Sequence, residues 1–173
     1  MTNPPRSATE QLLLSTASDR ALTNADYSIF QGKKVYLDAT YFDSYDSKYV
    51  IGAIRDALSQ AGALLVNGPT NTDIIVECRS GALSIDASDS LLGIPATGIP
   101  IPLAGTIPIP ELAIYKSSRQ HSYAKFALLA YGATSREHLY SSGALFGHSY
   151  NKYYKLLGLI QWTTSDIPEK HEK

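Results

Sequence analysis

The hydrophobic period changes twice between Lys33 and Asp86, from two residues to about 3.6 and back, and this constrains the fold more than any other feature of the chain. In KKVYLDATYFD (33–43), Val35, Leu37 and Ala39 alternate with Tyr36, Asp38 and Thr40, the pattern of a half-buried strand. In SKYVIGAIRDALSQAG (47–62), Val50, Ile51, Ile54, Ala57, Leu58 and Ala61 fall on one helical face, with Arg55, Asp56, Ser59 and Gln60 opposite. Asp43, Ser44, Asp46 and Ser47 supply side chains able to cap the helix start. Gly62 suits the left-handed position just past its end. A short strand, 63–66, begins at once, and so quick a return favours a right-handed crossover beside the first strand. After the turn cluster NGPTN (67–71), a longer strand runs to Asp86. It buries Ile74, Val76 and Cys78 and shows Asp73, Glu77 and Arg79, with Ile75 breaking the pattern and Gly81 marking a bulge.

The flanks extend this unit. Pro4 and Pro5 keep residues 1–6 extended. Ser7 to Glu10 has capping-box spacing, and a helix is expected over 8–22 with Leu12, Leu13 and Ala17 facing inward. This helix packs on its own domain or on a neighbour, so Leu12 and Leu13 are candidate contact residues. Residues 87–110 hold five Ile-Pro dipeptides and no charge between Asp89 and Glu111. The prolines forbid a regular helix, so an extended, polyproline-like loop is expected. A solvated loop would be polar; these isoleucines must rest on the loop's own sheet, on a partner subunit or on a lipid surface. Ile94, Ile99, Ile101, Ile107 and Ile109 are the candidates for such contact.

Three antiparallel strands are expected next, over 111–118, 122–132 and about 139–148, with Gly143 and Gly147 as bends. Ala124, Phe126, Leu128 and Ala130 share one face of the second, opposite Tyr123, Lys125 and Tyr131. Residues 151–159 read equally as a short helix or a strand end. The expected class is therefore α+β, an α/β sandwich: a mixed sheet opening with a strand-helix-strand-strand unit, continuing as an antiparallel meander, and preceded by an amino-terminal helix. Residues 1–32 form the extended segment and helix, 33–168 a single domain containing the Ile-Pro loop, and 169–173 a disordered tail.

Composition narrows the function. A net charge of −1 with 18% charged residues argues against a phosphate-gripping surface, so nucleic acid is not an expected partner. The single Cys78 sits in an apolar strand and reads as a small buried hydrophobe. Twelve tyrosines against four phenylalanines favour half-wet sheet faces and interfaces, which makes Tyr115, Tyr123 and Tyr131 further contact candidates. No phosphate loop and no G-x-S-x-G elbow is present. His121, His138, His148 and His171 stand apart in sequence, and Cys78 has no close partner for a zinc site. Asp38, Asp43 and Asp46 lie near the end of the first strand, where α/β folds often hold ligands, but capping already accounts for two of them. No catalytic residue, metal ligand or cofactor is assigned, and the chain reads as a non-enzyme.

The run from KKVYLDATYFD through YVIGAIRDALSQAGALLVNGPTNTDIIVECRSG resembles the small α/β domain of the TolB amino-terminal region. Lipoproteins that form export rings for curli or exopolysaccharide carry the same unit, and Thr72-Asp73-Ile74-Ile75-Val76 is similar to its sheet-entering strand. TNPPRSATEQLLLSTASDRA resembles the start of mature bacterial lipoproteins of an uncharacterised family, in which a lipidated cysteine comes just before. The resemblance implies a periplasmic protein held at the inner face of the outer membrane, with no cofactor, acting by assembly. Its partners would be copies of itself or other envelope proteins, with membrane contact through a lost lipid anchor or the Ile-Pro loop. Three readings stay open: an envelope lipoprotein domain that self-assembles or docks, a monomeric ligand-binding module with its pocket near Asp38 and Tyr41, and a hydrolase or metal-dependent enzyme. A cytosolic location also stays open, since no apolar run follows Met1.

Overall fold

The structure, a computed structural model, describes residues 6–44, 46–94, 96–101, 105–109 and 112–168. Helix α1 spans Ala8–Leu22, strand β1 Lys34–Tyr41, helix α2 Ser47–Gln60, strand β2 Leu64–Val66 and strand β3 Ile74–Ile94. Strands β4 (Thr97–Ile101) and β5 (Gly105–Ile109) follow, then β6 (Leu112–Gly132), β7 (His138–Leu156) and β8 (Ile160–Ser165). Six strands form one mixed sheet in the order β2-β1-β3-β6-β7-β8. β1 runs parallel to both β2 and β3, while β3, β6, β7 and β8 are antiparallel neighbours.

Both helices cover one face of the inner part of this sheet. The apolar stripe of α2 puts Val50, Ile54 and Leu58 into the core, against Val35, Leu37, Ile74, Val76 and Leu128. Gly62 takes φ +87°, the left-handed geometry its place after the helix requires. The expected capping box of α1 forms, with Ser7 Oγ accepting from Glu10 N–H and the Glu10 carboxylate accepting from Ser7 N–H. The α2 start is different. Asp46 makes no capping bond and instead pairs with Arg6 at 2.7 Å, while the Asp43 backbone is held by Ser80 Oγ.

Helix α1 lies unusually close to β7. A Cβ at Gly147 would sit 2.0 Å from the Ala17 carbonyl oxygen, so only glycine fits. Ser122 and Ser149, both fully buried, reach the Leu13 carbonyl at 2.8 Å each and approach each other at 2.9 Å. Leu13 is therefore core and cannot serve as an outside contact. Leu12, expected inward, is 44% exposed, because the helix turns Leu13, Leu14 and Ala17 to the sheet instead.

Beyond residue 86 the expectations change most. The Ile-Pro segment, expected as an extended, polyproline-like loop, is extended but paired: β3 continues to Ile94, and β4 and β5 pair antiparallel with Ile99 opposite Ile107. Pro100 and Pro108 are tolerated because a two-stranded ribbon leaves an outer edge that needs no N–H donor. The strands expected at 111–118 and 122–132 are one strand, β6, of 21 residues. Residues 151–156 are strand, and β8 follows a turn in which Leu157 and Gly158 hold φ +51° and +70°. The expected tail, 169–173, lies outside the described residues.

Candidate functional site

β3 and β6 each contain 21 residues, a length of roughly 70 Å when extended, and α1 and α2 cover only part of it. The outer part of the sheet, from Ala82 in β3, Leu112 in β6, Leu145 in β7 and Ile160 in β8, has one face bare of helices. Residues directly opposite across the ladder share a face. Tyr115, Ser117, Arg119, His121, Tyr123 and Lys125 of β6 therefore lie with Phe146, His148, Tyr150, Lys152 and Tyr154 of β7 and with Trp162 of β8. Their rings touch. Tyr154 and Trp162 stack with centroids 5.3 Å apart, Tyr123 and Phe146 lie at 6.2 Å, and Lys152 Nζ sits 4.7 Å above the Tyr150 ring. Ser117 Oγ is buried on this face with no hydrogen-bond partner among the described residues.

The edges are as open as the face. β1 pairs with β3 only as far as Arg79, so among the described residues no strand pairs with the outer side of β3 from Ala82 to Ile94. β8 likewise has β7 on one side and no strand on the other. It carries no charge and no proline, the features that usually blunt an edge. The contrast with the inner end of β7 is instructive. There Arg20 Nη1 donates to the His148 carbonyl at 2.8 Å and Asn24 Nδ2 to the Phe146 carbonyl at 3.4 Å, so α1 side chains seal that edge.

The expected contact residues distribute unevenly. Tyr115, Tyr123 and Tyr131 alternate along the open face of β6, the last with its hydroxyl donating to Glu77 at 2.8 Å, which raises its pKa. Ile94, 53% exposed, ends β3, and Ile107, 55% exposed, lies on β5. Ile99 and Ile101 belong to β4 and Ile109 to β5. Leu12 borders a mainly apolar groove of about 390 Å³ between the helices, with Leu14, Ser18, Tyr49 and Val50.

The other candidates do not come together. Asp38 accepts from Thr40, Asp46 pairs with Arg6, and among the described residues no three His, Cys, Asp or Glu side chains form a group. Burial and the nearby Asp38 push the Cys78 thiol up to about 11, where it is a poor nucleophile at neutral pH. The expected pocket near Asp38 and Tyr41 corresponds to an open groove of about 410 Å³ lined by Tyr41, Glu77, Arg79 and Leu129. Phe146 lies inside the strand expected over 139–148 but carries no contact assignment there, and Tyr150, Tyr154 and Trp162 fall beyond that strand; alternation from His148 to Leu156 is the signal for the longer strand. A family model described as a family of unknown function matches residues 1–168. No curated protein matches the chain.

Proposed function

The chain belongs to DUF6655, a family of unknown function, and we propose that it is a non-catalytic domain of the cell envelope that works by self-assembly or by docking in an export or envelope-maintenance complex. The observation that carries this reading is the uncovered outer sheet, with two unpaired edges and an aromatic face. A sheet with open edges is a template for another chain, and proteins that do not use such edges normally protect them. Trp162, 44% exposed, and the half-buried Tyr115, Tyr123, Tyr150 and Tyr154 are the side chains that interfaces favour, because they bury a large apolar area at low entropic cost. The envelope location rests on the resemblance to the TolB amino-terminal domain and the export lipoproteins, whose strand-helix-strand-strand order the β1-α2-β2-β3 run shares. Among the described residues no helix is long and apolar enough to cross a membrane, so a membrane position would come from an anchor, a partner or strands.

Light scattering on a sizing column, with and without mild detergent, tests the reading. A discrete oligomer well above the 18.8 kDa of one chain is the expected result. A monomer in both conditions, which also fails to bind any envelope fraction, would overturn it.

A further inference from the structure

The two open edges of the outer sheet are complementary to each other. Four strands separate them in the antiparallel order β3-β6-β7-β8, so β8 runs opposite to β3. A second copy set alongside, with its β3 next to β8, continues the alternation without reversing direction and keeps the open faces on one side. The β3 edge bears Asp86 and Asp89. Asp86 lies opposite His121, on the open face, and Asp89 opposite Ser118, on the other face. Behind the β8 edge, β7 bears Lys152 opposite Thr164 on the open face and Lys155 opposite Gln161 on the other. Both pairs of charges are therefore spaced by three residues and split between faces in the same sense.

We propose that β8 of one copy pairs antiparallel with the outer edge of β3 in a second copy, with Thr164 opposite Asp86, Trp162 opposite Ser88 and Gln161 opposite Asp89. This rests on the assembly reading above and names its partner and register. In this register each aspartate comes two strands from its lysine on the matching face, roughly 10 Å between backbones, a span that the two side chains together can close. A slip of one residue moves both acids to the wrong faces, and a slip of two separates the charges along the strands. Pairing β8 with β8, or β3 with β3, brings lysines towards lysines or aspartates towards aspartates. Head-to-tail pairing is the arrangement that brings unlike charges together, and it builds a ring or a filament of copies rather than a closed dimer.

Cysteine pairs test the register, in a Cys78→Ala background that removes the natural thiol. Thr163→Cys on one chain and Ala87→Cys on another are opposite in the proposed pairing. Under mild oxidation the mixture should give a disulfide-linked pair, neither variant alone should give one, and a chain carrying both should give a ladder. Cross-linking of Thr163→Cys with itself would overturn the proposal in favour of a two-fold dimer. An oligomer by light scattering without the expected cross-link would overturn the pairing and leave the assembly reading intact; a monomer would overturn the pairing, and a monomer that also binds no envelope fraction would end both.

Charge exchange gives an independent check. Asp86→Lys with Asp89→Lys should weaken assembly at least ten-fold while circular dichroism stays native. Mixing that variant with Lys152→Asp plus Lys155→Asp should restore it. Failure of the mixture to reassemble, with both variants folded, would overturn the charge register.

Discussion

At the scale of single residues, the contact between α1 and the sheet depends on what is missing from Gly147. The helix backbone lies where a side chain would be, and Ala17 and Ala21 face that strand with nothing larger than a methyl group. Ser122 and Ser149 complete the contact from below by satisfying each other and the Leu13 carbonyl in a site closed to water. Gly147→Ala forces the helix off the sheet, since the clash is with backbone, which cannot rotate away. We expect it to cost about 3 kcal/mol, at the upper end of overpacking penalties, read as a fall in the urea midpoint with an unchanged slope. Glycine at this position was legible only as a bend. Its role depends on a helix more than a hundred residues earlier in the chain, and no local pattern encodes that distance.

At the scale of elements, the end of the last strand is tied to the first helix. Arg20 bonds the Asp166 carboxylate and donates to the Asp166 carbonyl at 2.9 Å, while Tyr150 N–H donates to the same carboxylate at 2.7 Å. Partial burial alone would raise the Asp166 pKa, but the Tyr150 N–H and the Arg20 guanidinium outweigh it and hold the carboxyl below 3.8. A depressed carboxyl stabilises the fold above its unfolded value and loses that contribution as the pH falls through its folded value. Asp166→Asn should therefore cost about 1 kcal/mol above about pH 5, a modest figure because the pair is partly solvated. The difference from the unaltered chain should shrink as the pH is taken below 3.8 in denaturant titrations. The strands themselves show where local rules hold and where they do not. Val35 and Leu37 alternate with half-buried neighbours because one side of the sheet meets α2, whereas in β3 Ile75 is buried as well as Ile74 and Val76. From Lys116 to His121 polar residues occupy both faces, which reads as a break, yet β6 continues, because a strand with no helix over it can be polar on either side. β8 was hidden for another reason: its turn places Leu157 at positive φ, where Asn or Gly is the usual signal.

At the scale of the whole molecule, the sheet has a covered inner part and a bare outer part, and their stabilities should differ. Amides of Ile74 to Cys78 and of Phe126 to Ala130 lie under the helices and should exchange only through global unfolding. Amides of Ala87 to Ser90 belong to exposed residues of the outer sheet and should exchange faster in the isolated chain; native-state hydrogen exchange compares the two sets directly. Equal protection in the monomer would mean that the outer strands are as firmly held as the core. What the sequence determined by itself was everything that depends on near neighbours: the period of β1 and α2, the capping of α1, the left-handed Gly62, the bulge at Gly81 and the buried face from Ala124 to Ala130. Those features follow from side-chain alternation, helix geometry and backbone sterics within a few residues. Only the tertiary structure decided that the Ile-Pro segment pairs as a ribbon, that three long strands run past the helices, and which edges are left open. Strand length and edge exposure depend on which distant segment supplies the opposite ladder, and hydrogen bonds between strands leave no mark on the local pattern of either one.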